Sequence, residues 1–296
     1  MLHPPDGWAH TVGVPSSPRV TPTSSALDRE SSTVTLTTML NKVPQITLFF
    51  WIIKVLSTTV GETLADFLNT KLGLGLINTS YALSTLFLIA LAVQLTRKRY
   101  IPAVYWTVVV LISVVGTLVS DTFVEKLGLG LQTTTIAFSC ALAVVFVLWY
   151  LSEKTLSVHW IATTKRELFY WAAILFTFAL GTSAGDLLTE KVGTGYFLGA
   201  LMFAGMIAVV AVAHYGLKIN AVLAFWMAYI LTRPLGASMG DLLSQARKDG
   251  GLGLGTTVTS AIFLVVIVAL VTLLTKNLRD EDLAPADSRR REGLAA

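Results

Sequence analysis

Seven ionisable residues lie in stretches that are otherwise apolar: Lys54, Glu62, Asp66, Asp121, Asp186, Arg233 and Asp241. An ionisable side chain at membrane depth costs roughly 2.5–3.5 kcal/mol on insertion scales, so its usual roles are an ion or solute pathway, a proton relay or a buried pair. Carboxylate oxygens suit protons and hard cations. The absence of His or Cys beside them argues against soft metals. The four histidines and the single cysteine show no metal-ligand spacing, so the sequence names neither a metal nor a cofactor, and no cofactor is expected.

The aspartates recur in one phrase. Trp51, Trp106, Trp171 and Trp226 are each followed ten residues later by Gly61, Gly116, Gly181 and Gly236, and five residues further by Asp66, Asp121, Asp186 and Asp241. In three copies Lys71, Lys126 and Lys191 come next, then a Gly-x-Gly pair; the fourth copy inserts about five residues before Gly253 and Gly255. Each first glycine is paired four residues on with Ala65, Ser120, Gly185 or Gly240. That small-xxx-small face lets helix backbones approach closely, so Gly61, Gly116, Gly181 and Gly236 read as packing residues. The tryptophans read as interface anchors, and the Gly-x-Gly pairs as turns after a helix end that the lysine favours.

For the aspartates two roles stay open. Each lies in the last third of an apolar segment, where the helix dipole disfavours negative charge, and lysine five residues on is about 140° round the helix. They are either pathway ligands or locks that accept backbone N–H bonds in their own turns. Departures from the repeat carry more functional weight. Counting 12, 8 and 4 residues back from each aspartate, the first unit has Lys54, Thr58 and Glu62; the second keeps Ser113 and Thr117; the third has Ile174, Phe178 and Thr182; the fourth has Tyr229, Arg233 and Ala237. Charge is concentrated in units one and four. Glu62 is expected to bridge to Arg233, with Lys54 as a second partner, and Pro234 is expected to interrupt its helix locally.

These residues need a scaffold, and the composition defines it. The 296 residues are 54% hydrophobic and 14% charged, with a mean hydropathy of +0.68, well outside the range of a soluble domain. Apolar segments near 45–68, 77–96, 101–123, 131–151, 168–188, 196–215, 219–243 and 256–275 each approach the ~20 residues of a spanning helix. The fold expected is an all-α integral membrane protein of eight transmembrane helices, arranged as four helical-hairpin repeats (about 41–96, 97–152, 165–216 and 217–276) inserted in the same orientation.

Most of the 22 Lys and Arg fall on the side holding both tails; the loops on the other side hold Lys71, Lys126, Lys191, Arg247 and Lys248. The positive-inside rule then puts both termini in the cytoplasm, in a plasma (inner) membrane. The same spread makes nucleic acid a poor partner, leaving the lipid bilayer and a small charged solute or cation. Residues 1–40, rich in Pro, Ser and Thr, and the tail 277–296 read as disordered. No signal peptide is expected, and Met39 is a second candidate start.

The phrases NKVPQITLFFWIIKVLSTTVGETLADFL, LGTSAGDLLTEKVGTGY and ILTRPLGASMGDLLS resemble a bacterial family of multi-pass membrane proteins built from four copies of a repeat of unknown function. The resemblance covers about residues 41–276 and implies an integral membrane protein without an assigned activity. No GxSxG, HExxH or nucleophile–base pair points to an enzyme, and no P-loop points to a primary pump. Two functions remain in view: a transporter or channel for a cation or small charged solute, and a membrane sensor, regulator or scaffold that moves nothing.

Overall fold

The computed structural model describes residues 41–191, 193 and 195–294, so the expected N-terminal extension lies outside the described residues. Among these the chain forms eight helices long and apolar enough to cross a membrane: α1 (Leu48–Asp66), α2 (Leu76–Thr96), α3 (Pro102–Asp121), α4 (Leu131–Glu153), α5 (Thr164–Asp186), α6 (Gly195–Leu217), α7 (Ala221–Ser244) and α8 (Thr256–Leu294). It is an all-helical integral membrane protein. The odd helices start on recognisable signals. Thr47 and Thr163 accept from Phe50 N and Arg166 N, Asn220 accepts from Val222 N and Leu223 N, and Pro102 opens α3.

The two helices of each repeat have different environments. Of the spanning windows, 56–72% of residues are buried in the odd helices against 17–22% in the even ones. The odd helices form a closed inner ring in which α1 packs on α3 and α7, and α5 packs on the same two. The even helices, apolar all round, surround it and present Leu88, Val144, Val209 and Val265 outward, as a lipid-facing helix should. Each outer helix packs chiefly on the inner helix of the following repeat: α2 on α3, α4 on α5, α6 on α7, and α8 back on α1. Ser260 of α8 donates to Thr63 of α1 at 2.7 Å to close the circle. Helices of one repeat therefore meet mainly around their shared turn, where Gly73 and Gly75 take the left-handed backbone (φ 67° and 75°) that redirects the chain.

The small-residue faces work in the same cyclic order. A Cβ on Gly116 would lie 2.5 Å from Cβ of Phe178, and one on Gly181 would lie 2.6 Å from Cβ of Arg233. Gly61 rests likewise against Ser113, and Gly236 against Thr58. Every inner helix thus offers its glycine to the residue eight positions before the aspartate of the next.

Four local expectations need correcting. Trp106, Trp171 and Trp226 are buried core residues and not lipid-interface anchors. With Tyr105, Tyr170, Phe50 and Phe225 they fill one end of the ring, and two of the three indole N–H groups are met inside, Trp106 Nε1 by the Tyr100 hydroxyl at 3.1 Å and Trp226 Nε1 by Leu156 O at 3.0 Å. Pro234 does not interrupt its helix: α7 runs through it, and Gly185 of α5 leaves room for the ring, a Cβ there lying 3.2 Å from Cβ of Pro234. The tail after residue 276 continues as backbone helix to Leu294, since extending a nucleated helix costs far less than starting one. The fourth correction concerns Lys54 and belongs to the site.

Beyond the aspartates the first three inner helices widen into π-turns, Phe67–Lys71, Thr122–Lys126 and Leu187–Lys191, with Leu72 N bonded to Phe67 O at 3.0 Å and Leu127 N to Thr122 O at 3.1 Å. The fourth ends differently. Its inserted residues fold back so that the N–H groups of Leu252, Leu254 and Gly255 cap Leu242, Leu243 and Ser244 of α7 at 2.7, 3.0 and 3.1 Å, satisfying carbonyls that a helix end otherwise leaves free.

Candidate functional site on the ring axis

Residues spaced four apart share a helix face, and on the inner helices that face turns inward. The three layers below the aspartates are buried on all four helices, from Lys54, Val109, Ile174 and Tyr229 up to Glu62, Thr117, Thr182 and Ala237. The repeat thus builds a central column, and its divergent positions decide what the column carries.

In the middle of the column Arg233 spans the ring. Its Nη2 lies 2.7 Å from Glu62 Oε2 and donates also to Thr117 Oγ1, while Nη1 donates to Thr58 O at 3.1 Å. Thr117 in turn donates to Glu62 Oε2 at 3.5 Å. One guanidinium from α7 is therefore held by α1 and by α3, the helix across the ring. Such a pair is electrostatically strong in a medium of low dielectric, but it must offset the desolvation of both ions. The expected Glu62–Arg233 bridge is present.

Lys54 departs from expectation. It is wholly buried and forms no salt bridge with Glu62. Its Nζ lies 4.1 Å from the centroid of Phe178 and 4.2 Å from that of Tyr229, between two aromatic faces. The reason is the ladder of layers: Lys54 is two layers from Glu62, and the aromatic rings of α5 and α7 fill the space its amine can reach. Lys54 Nζ, Tyr229 Oη, Ser113 Oγ and Arg233 Nε all lack a hydrogen-bond partner among the described residues. Buried polar atoms are rarely left so, and four of them cluster on this axis.

The aspartates lie half-buried at one end of the column. Asp121 has Glu62, Asp66, Glu125 and Arg233 as its electrostatic neighbours, and Asp241 has Glu62, Asp66 and Asp186, so the repeated carboxylates ring a common mouth above Glu62. As locks they do not fit at two positions, because neither Asp66 nor Asp121 caps the π-turn that follows it. Among the described residues no three His, Cys, Asp or Glu side chains come together closely enough to hold a metal ion. Beside this mouth a cavity of about 570 Å³ opens between the π-turn of α1 and the inserted loop after α7.

The opposite end is shut by residues that local sequence did not flag. Lys42 Nζ and Glu167 Oε2 form a buried pair at 2.7 Å; Gln94 Nε2 donates to Glu167 Oε1 at 2.9 Å, and Lys42 Nζ to Leu95 O at 3.2 Å. Asn41 binds the main chain on both sides, accepting from Tyr100 N and Ile161 N, each at 2.9 Å. Just inside, the Tyr105 and Tyr170 hydroxyls meet at 2.5 Å. From sequence Lys42 is one more basic residue ahead of a span, and Glu167 an ordinary first-turn acid. Only their meeting across 125 residues makes them a clamp.

The profile of a Repeat of Unknown Function (DUF347) matches four times, at residues 49–100, 104–155, 169–220 and 224–279. The chain belongs to this family. Each DUF347 match begins two residues before the tryptophan of its unit and runs through one inner and one outer helix, so the family repeat is the structural repeat described above. No curated protein and no solved structure matches the chain. The family description assigns no activity, and function has to be argued from the column.

Proposed function

We propose that this DUF347 protein is a transporter for a cation or small charged solute, with Glu62, Arg233 and Lys54 as the polar centre and Asp66, Asp121, Asp186 and Asp241 as the charged mouth. The observation that carries the reading is Lys54: a buried amine with no hydrogen-bond partner among the described residues, two layers below Glu62, whose charge is already met by Arg233. A scaffold gains nothing from such a group, whereas a pathway uses polar atoms that are free to engage what passes. A column with half-buried carboxylates at one end and closed at the other by the Tyr105–Tyr170 pair and the Lys42–Glu167 clamp suits one state of an alternating-access cycle better than an open channel. Lysine and arginine are sparse on the aspartate side, so we orient that mouth outward and both termini toward the cytoplasm of a plasma membrane.

The experiment is uptake by liposomes reconstituted with the full chain, screened against protons, monovalent cations, and small organic cations, anions and zwitterions. The doubly substituted chain Glu62→Gln with Arg233→Gln is run in parallel. It removes both buried charges together, so folding is expected to persist while uptake is lost. Full uptake by the folded double variant would reduce the cluster to a structural pair and favour a sensor or scaffold that transports nothing.

A further inference from the structure

We infer that the insertion peculiar to the fourth repeat builds a binding site for a small zwitterion of amino-acid type, bearing a carboxylate and an ammonium group. The site is the cavity of about 570 Å³ between α1 and the α7–α8 connection, within the range of small-molecule pockets. In the first three repeats the turn after the aspartate is short. In the fourth, the extra residues fold back to cap α7, so the connection stands off from the end of α1 and leaves the cavity.

Its walls are chemically divided. Ser244 and Thr256 line it and are 7% and 9% exposed, and neither hydroxyl has a hydrogen-bond partner among the described residues. Thr256 is also the first residue of α8, so the positive end of that helix, with N–H groups that have no partner within it, borders the cavity. Lys71 and Arg247 add two cations, and Asp66 is the acidic residue on the wall. A simple anion would meet Asp66, and a simple cation would meet Lys71, Arg247 and the α8 terminus. A zwitterion satisfies both halves: its carboxylate accepts from the two hydroxyls and the head of α8, and its ammonium lies against Asp66.

Binding does not depend on transport and is measured at equilibrium in detergent. The full chain is titrated calorimetrically with L-alanine, acetate and ethylammonium at constant ionic strength. Saturable binding of alanine is expected, with acetate and ethylammonium at least tenfold weaker. Ser244→Ala combined with Thr256→Val should weaken alanine at least fivefold, and Asp66→Asn should remove alanine's advantage over acetate. The site is overturned if alanine does not bind, if acetate binds as well, or if the hydroxyl-free variant binds alanine unchanged. Should that variant fail to fold, Arg247→Gln, on an exposed side chain, carries the same test: weaker alanine supports the site and undiminished affinity overturns it. A protein that transports but does not bind alanine breaks this inference alone. One that binds alanine but moves no solute breaks the transport reading alone.

Discussion

The junction of α1 with α7 and the junction of α3 with α5 are built by the same repeat, yet they carry opposite contents. At α3–α5 the column presents Val109, Ser113, Ile174 and Phe178; at α1–α7 it presents Lys54, Thr58, Tyr229 and Arg233, with Glu62 one layer above. The backbone contact is nevertheless alike, because Gly116 meets Phe178 as Gly236 meets Thr58. Close approach is set by glycine on one helix and by the first atoms of the facing side chain on the other. The chemistry sits further out along that side chain. Duplication could therefore keep the frame while one junction acquired charge.

The largest expected effect separates the two junctions. Glu62→Gln leaves Arg233 buried without its carboxylate, a loss of about 3–5 kcal/mol when a buried pair is broken on one side. Thr182→Ala, in the same layer of the third repeat, removes a hydroxyl bonded only to its own helix at Phe178 O and should cost under about 1 kcal/mol. Thermal unfolding in detergent compares them, and equal losses would mean that the charged junction is not the special one.

A second pair of substitutions tests what the junctions share. Gly116→Leu and Gly236→Leu each force a side chain into a closed helix contact and should each destabilise by about 1–3 kcal/mol, read as lowered folded yield and melting temperature. Tolerance at Gly116 alone would show that the frame is not common to all four repeats.

Lys54→Met should change stability by less than about 1 kcal/mol in either direction, because it replaces an amine that forms no salt bridge with an apolar chain of similar length. Uptake should disappear all the same. A marked loss of stability would instead make Lys54 structural, held by Phe178 and Tyr229. Reporter fusions after Lys98 and after Lys126 perturb the protein least and should report opposite sides of the membrane. A cytoplasmic Lys126 loop would reverse the orientation on which the outward-facing mouth depends.

Much of this was legible in the chain itself. Apolar length defined the eight spans, because the bilayer sets the length of a spanning helix. The spacing from tryptophan to glycine to aspartate defined the repeat, and the 3.6-residue period put Lys54, Thr58, Glu62 and Asp66 on one stripe, from which a Glu62–Arg233 bridge could be anticipated. These are local or periodic properties, and neighbouring residues are enough to express them. What the tertiary structure decided is how the stripes face one another. That α8 returns to α1, that Trp106, Trp171 and Trp226 lie in the core, that Lys54 rests between Phe178 and Tyr229, and that Lys42 meets Glu167 all depend on side chains brought together from helices far apart in sequence. In lipid an apolar surface favours no particular neighbour, so partner choice falls to small-residue fit and a few polar contacts that exist only once the ring has closed.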